Sequence, residues 1–145
     1  MEENYIGQWS VPVNNVIEWG AVRKFAMAIG DHNPNYFDEQ TAQHNHYGRL
    51  IAPPTFAVSL DYGVLPGGGF DFTGMIHSEQ TFSSLRPLFV GETLTCSARL
   101  ADCTTRKTGS MQMTFYVFEQ QAVASDGTVV CTARMTVLRR EVVAQ

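Results

Sequence analysis

The sequence predicts one α+β domain of 145 residues, and a change of texture near its middle carries that prediction. Residues 1–70 hold five of the six prolines and three of the four histidines, and they read as short helices joined by loops. Residues 74–140 alternate apolar and polar side chains and are rich in Thr, Val and Phe, the pattern of strands with one buried face. Helices followed by an antiparallel meander require a helix to cover one face of the sheet.

The first helix is expected over residues 18–29, where Trp19, Val22, Phe25, Ala26 and Ile29 recur at helical spacing and would share a buried face. Gly30 ends it, because glycine tolerates the left-handed conformation common just past a helix. A second short helix is expected over 38–44. Pro53-Pro54 then opens a third, over 54–62, since proline is at home in a helical first turn. Gly63 and the Gly67-Gly68-Gly69 run stop it. Four strands follow, at about 74–82, 93–103, 110–120 and 128–139. In the last, Val129, Cys131, Ala133, Met135 and Val137 would line one face. Ser125-Asp126-Gly127-Thr128 is the turn before it.

Composition narrows the function. Ten basic against 14 acidic side chains give a net charge of −4, with no Lys/Arg cluster larger than an adjacent pair such as Arg139-Arg140, so no nucleic-acid surface is expected. No apolar run approaches the roughly 18–20 residues of a membrane span, and the acidic start, Met-Glu-Glu-Asn, is unlike a secretory leader. Cys96, Cys103 and Cys131 are odd in number without C-x-x-C spacing, so neither a disulfide framework nor a metal site is expected. A soluble, cytoplasmic single domain over 1–145 is the expectation.

The stretch that can carry chemistry is Gly30-Asp31-His32-Asn33-Pro34-Asn35-Tyr36-Phe37-Asp38. A helix-ending glycine followed by Asp-x-Asn-Pro would hold Asp31 on a rigid loop against a substrate. The same residues also make an ordinary turn, with the Asp and Asn side chains bonding local amides. His44 and His46 are two apart rather than four and do not form a helical metal pair; the triple glycine lacks the helix and lysine of a phosphate loop.

That stretch resembles the hydratase motif of the MaoC-like family. The resemblance continues through Tyr47-Gly48-Arg49-Leu50-Ile51-Ala52-Pro53-Pro54-Thr55-Phe56 and Arg86-Pro87-Leu88-Phe89-Val90-Gly91-Glu92-Thr93-Leu94. The Ala-Pro-Pro-Thr-Phe form and His77-Ser78-Glu79-Gln80-Thr81-Phe82 resemble the branch of N-terminal, FAS1-like dehydratase domains. The resemblance implies a hotdog fold, an antiparallel sheet wrapped around one central helix, which residues 54–62 would supply. It implies pairing through the sheets, as a homodimer or with a catalytic hotdog subunit, with an acyl-thioester site at the pair interface. The implied reaction is hydration of an enoyl thioester on CoA or acyl carrier protein, or the reverse dehydration, with no metal or redox cofactor.

Such chemistry needs a base to deprotonate water as it attacks carbon 3, a proton for carbon 2, and an N–H facing the thioester oxygen. Asp31 and Asn33 match the family's aspartate and asparagine. Tyr36 stands where active members carry histidine, and a phenol of ordinary pKa about 10 is a poor base near neutrality. Pro54 stands where a glycine N–H serves the oxyanion, and proline has no N–H. His77 is a candidate replacement base. Pro54, Thr55, Arg106 and Lys107 are the candidate substrate-contacting residues, the basic pair as a contact for CoA phosphates. Three readings stay open: the pocket-forming subunit of a two-chain enzyme, a self-sufficient homodimer using Asp31 with Tyr36 or His77, and a non-catalytic acyl-thioester binding module.

Overall fold

The computed structural model describes residues 2–144. Five antiparallel strands form one sheet in the order β1-β3-β4-β5-β2, with β1 at Val13–Val16, β2 at Ile76–Ser84, β3 at Thr93–Thr108, β4 at Met111–Val123 and β5 at Val129–Val142. The four expected strands are present; β3, β4 and β5 are longer than their sequence signals, and β2 lies two residues further on. β1 was not expected, since Val-Asn-Asn-Val is too short and polar to announce itself. Only β3, β4 and β5 form a meander; β2 pairs with β5 at the far edge rather than with β3. One edge is continued past β1 by the N-terminal segment, where Gly7 and Ser10 N–H donate to Leu100 and Ala98 O at 2.8 and 2.7 Å. Among the described residues, no strand covers the outer edge of β2.

The turn before β5 forms as expected, with Asp126 Oδ1 accepting from Thr128 N–H at 2.9 Å. Beyond it, a bulge leaves Val130 outside the pairing register, so Val130 is buried and Val129 exposed. The expected inward face of β5 therefore begins at Cys131.

Helix α1 (Trp19–Ala28) covers the near half of the sheet. Val22 and Ala26 are fully buried, and Phe25 meets Phe56 edge to face at 5.5 Å. Ile29 does not join that face; it is the residue at which the chain leaves the helix, and it is half exposed. Gly30 follows with φ of 72°, as the helix stop requires. Helix α2 (Glu39–Gln43) is capped by Asp38, whose side chain accepts from Gln40 N–H at 3.1 Å.

The long central helix expected over 54–62 is not formed. The segment makes a single 3₁₀ turn, Phe56–Ser59, and Leu60 is already extended. Competition for the backbone explains the difference. Asn15 takes both Asp61 N–H and Asp61 O, at 2.9 and 2.8 Å, and Ser10 Oγ donates to Tyr62 O at 2.6 Å. Gly63 then adopts φ of 84° so close to Val11 that an added Cβ would lie 2.7 Å from its carbonyl oxygen. Pinning 60–63 to the N-terminal segment uses groups that a longer helix would need.

The result is a core in two parts. One lies under α1 and the 3₁₀ turn and includes Ile17, Val22, Phe56, Leu94, Cys96 and Cys131. The other, Leu100, Tyr116, Phe118 and Val137, is covered by the glycine-rich loop after the 3₁₀ turn, through Leu65, Phe70 and Met75. No helix among the described residues is long and apolar enough to cross a membrane.

Candidate active site

The loop after α1 builds the site from its own sequence. Gly30 lets Asp31 N–H reach back to Ala26 O at 2.9 Å, which fixes the aspartate just beyond the helix. Asp31 Oδ1 accepts from Asn33 N–H at 3.2 Å, and Asp31 Oδ2 accepts from the Tyr36 hydroxyl at 3.3 Å. Asn33 uses its side-chain oxygen on Asn35 N–H at 3.0 Å, capping the short 3₁₀ turn Pro34–Tyr36. Both readings of this stretch therefore hold together: Asp31 and Asn33 make local turn bonds, and the turn delivers Tyr36 to Asp31.

Tyr36 is buried and lines a pocket. Trp19 Nε1 donates to its carbonyl at 2.9 Å, locking the turn against α1. Burial, then the negative charge of Asp31 and the hydrogen bond to it, push the phenol above its ordinary pKa of 10.0. It is a proton donor at neutral pH and not a base.

The pocket beside it has a volume of about 310 Å³ and runs from Tyr36 past Pro53 and Pro54 to Ser84, Leu85 and Cys131. Its mouth is apolar and open, with Leu85 73% and Tyr47 42% exposed. Pro54 lines it without an N–H to offer. One residue on, Thr55 N–H donates to no group among the described residues, whereas the N–H groups of Phe56 and Val58 are taken by Pro53 and Thr55 O.

One wall is stiffened by an ion pair between residues of the Arg86–Leu94 block. Arg86 and Glu92 form a bidentate ion pair at 2.8 and 2.8 Å, and Glu92 also accepts from Phe89 N–H at 2.6 Å. Arg49 and Arg86 lie on the Phe89 ring, 4.5 and 4.2 Å from its centroid. The signal was present in the spacing of Arg86 and Glu92, yet only the loop's return shows that they meet.

The remaining candidates lie elsewhere in the chain. His77 is exposed at the start of β2 opposite Val137, seven residues from Ser84 at the pocket, or roughly 20 Å along a strand. Arg106 and Lys107 are exposed near the far end of β3, where they pair with Met113 and Gln112. Within one chain, neither His77 nor the basic pair reaches Asp31.

With this geometry in view, comparison with known proteins is decisive for the family. Residues 4–133 match the family described as the FAS1-like dehydratase domain region. The chain belongs to that family. It is 30% identical over 148 residues to a UPF0336 protein of Saccharopolyspora erythraea, covering 97% of this chain and 92% of the relative. Its fold is that of the HadBC (3R)-hydroxyacyl-ACP dehydratase complex of Mycobacterium tuberculosis, with a TM-score of 0.76, 20% identity, and 96% and 100% of the two chains covered. The (R)-hydratase of A. caviae involved in PHA biosynthesis gives a TM-score of 0.68 at 22% identity, covering 91% and 94%. The FAS1-like dehydratase chain thus has the hotdog fold of the MaoC-like structures it resembles, with one 3₁₀ turn in place of the central helix.

Proposed function

We propose that this chain is the pocket-forming subunit of a two-chain (R)-specific enoyl-thioester hydratase, or 3-hydroxyacyl-thioester dehydratase, in which a partner hotdog chain supplies the base and the oxyanion donor. The observation that carries the reading is the Asp31–Tyr36 pair itself. Its hydroxyl proton is held by burial and by the carboxylate, where the reaction needs an imidazole to take a proton from water. Pro54 removes the backbone donor from the same pocket, so two of the three required groups are absent together.

Three further features support a partner. The apolar pocket mouth at Leu85 and Tyr47 stands open. The outer edge of β2 has no strand on it. Gln80 Oε1, on that edge strand, is buried without a hydrogen-bond partner, a state that costs about 1–3 kcal/mol when left unmet. The similar HadBC is itself a complex. A cavity of about 440 Å³ lies between the sheet and the glycine loop, lined by Tyr5, Leu65, Phe70 and Leu100, with room for an apolar acyl chain.

A self-sufficient homodimer is the second reading, favoured by the free Thr55 N–H beside Pro54. An antiparallel two-fold pairing of β2 centred on Gln80 would also set His77 of one chain opposite Ser83 of the other.

Reconstitution separates the two. The chain would be mixed with a hotdog chain that carries the intact histidine and oxyanion glycine and assayed on trans-2-enoyl-CoA. The first reading expects turnover in the range of ~1–10³ s⁻¹ from the pair. Asp31→Asn in this chain would leave that rate within about twofold, a change below ~0.5 kcal/mol in the barrier. Loss of the paired activity through Asp31→Asn would move the chemistry into this chain and reject the first reading.

A further inference from the structure

The face of the sheet turned away from the core carries an ordered pattern of charge that the site does not use. Directly paired residues on antiparallel strands share a face. The register therefore sets Asp102, Val117, Thr136 and Glu79 side by side across β3, β4, β5 and β2. The next row is Thr104, Phe115, Leu138 and Ile76, and the one after it is Arg106, Met113 and Arg140. The Arg106 guanidinium lies over the Phe115 ring, 5.6 Å from its centroid, which places both on this face.

Asp102 is here because of a bulge. Leu100 points into the core, and the register slips by one residue between Leu100 and Asp102, turning the aspartate outward. Asp102, Glu79, Arg106 and Arg140 are exposed. None of the four forms an ion pair among the described residues. Between the acidic and basic rows run Phe115, Leu138 and Ile76, and Val117 and Met113 extend this apolar band along β4 into the two rows. An apolar band with unpaired charge on both sides has the make-up of an interface core and its rim.

We infer that this face packs against the same face of a second copy of the chain, about a two-fold axis lying in the interface and crossing the strands over the Phe115–Leu138 row. Such an axis reverses the strand direction and keeps the order across the sheet. The acidic row of each copy then lies over the basic row of the other, with Asp102 facing Arg106 and Glu79 beside Arg140, and every contact occurs twice. Packed sheets sit about 10 Å apart, a gap that aspartate and arginine side chains span between them. The pattern also excludes the other in-plane two-fold. An axis along the strands would set the acidic row over itself, with Asp102 over Glu79, and the basic row over itself, with Arg106 beside Arg140, like charge on like. A uniformly acidic or basic partner meets repulsion from one row, whereas a second copy satisfies both. The surface is separate from the β2 edge and from the pocket beside Tyr36, so the inference stands whether or not the proposed activity does.

Charge exchange tests it, read as particle mass by sedimentation equilibrium. Arg106→Asp alone and Asp102→Arg alone each place like charges together twice and are expected to halve the mass of the wild-type particle. The double variant Asp102→Arg/Arg106→Asp exchanges the two signs and is expected to restore the full mass. Both substituted positions are exposed, and any joining through β2 edges is untouched by the three variants. A mass that neither single reversal lowers overturns the inference, as does a double variant that stays at half mass. A wild-type particle of one chain, the result expected if another protein occupies this face, overturns it too.

Discussion

Tyr36 divides its work between ring and hydroxyl. The ring belongs to the core, while the hydroxyl reaches Asp31 over a long 3.3 Å bond. Tyr36→Phe keeps the first and removes the second, so it should cost no more than about 0.5–1.5 kcal/mol in denaturant unfolding. In the paired enzyme it should leave turnover nearly unchanged, whereas a self-sufficient site using the phenol as its acid would lose about 10²-fold or more. Asp31, Asn33 and Tyr36 were legible as a group because they lie within six residues on one turn, where local bonds decide geometry. His77 was not legible in the same way. Its position depends on the pairing of β2 with β5 and on a bulge between His77 and Glu79, neither of which a local pattern reveals.

At the scale of elements, alternation located four strands, since a half-buried sheet imposes its period on the sequence. The length of the 54–62 helix was set instead by remote partners, Asn15 and Ser10, which lie more than 40 residues away. β1 likewise owes its pairing to β3 and not to its own composition. The loop between β2 and β3 depends on one acidic residue. Glu92 holds Arg86 through two bonds and Phe89 N–H through a third, in a setting where its side chain is only 13% exposed. Glu92→Ala leaves a partly buried guanidinium unpaired and should cost about 2–3 kcal/mol, measured as a fall in denaturant midpoint. A loss below about 0.5 kcal/mol would show that the pair is no more than an exposed contact.

Across the whole molecule, burial of Cys96 between sheet and α1 ties stability to alkaline pH. Burial pushes its thiol from the ordinary 9.0 up to about 12, and Tyr62 in the same core is raised as well. The folded state thus favours the protonated thiol. That contribution is fully present below about pH 9 and is lost as pH rises toward 12, because the unfolded chain ionises first. Unfolding midpoints should therefore fall between those values, and Cys96→Ala should flatten the fall whatever it does to stability at pH 7. The central claim is a property of the whole molecule too: a hotdog scaffold whose own site lacks a base. Hydration of trans-2-enoyl-CoA by the purified chain alone, followed by loss of the conjugated thioester absorbance, tests it most directly. The account predicts no turnover above the uncatalysed rate from a folded sample. Turnover of ~1 s⁻¹ or faster that Asp31→Asn abolishes would contradict it and make this chain an enzyme in its own right.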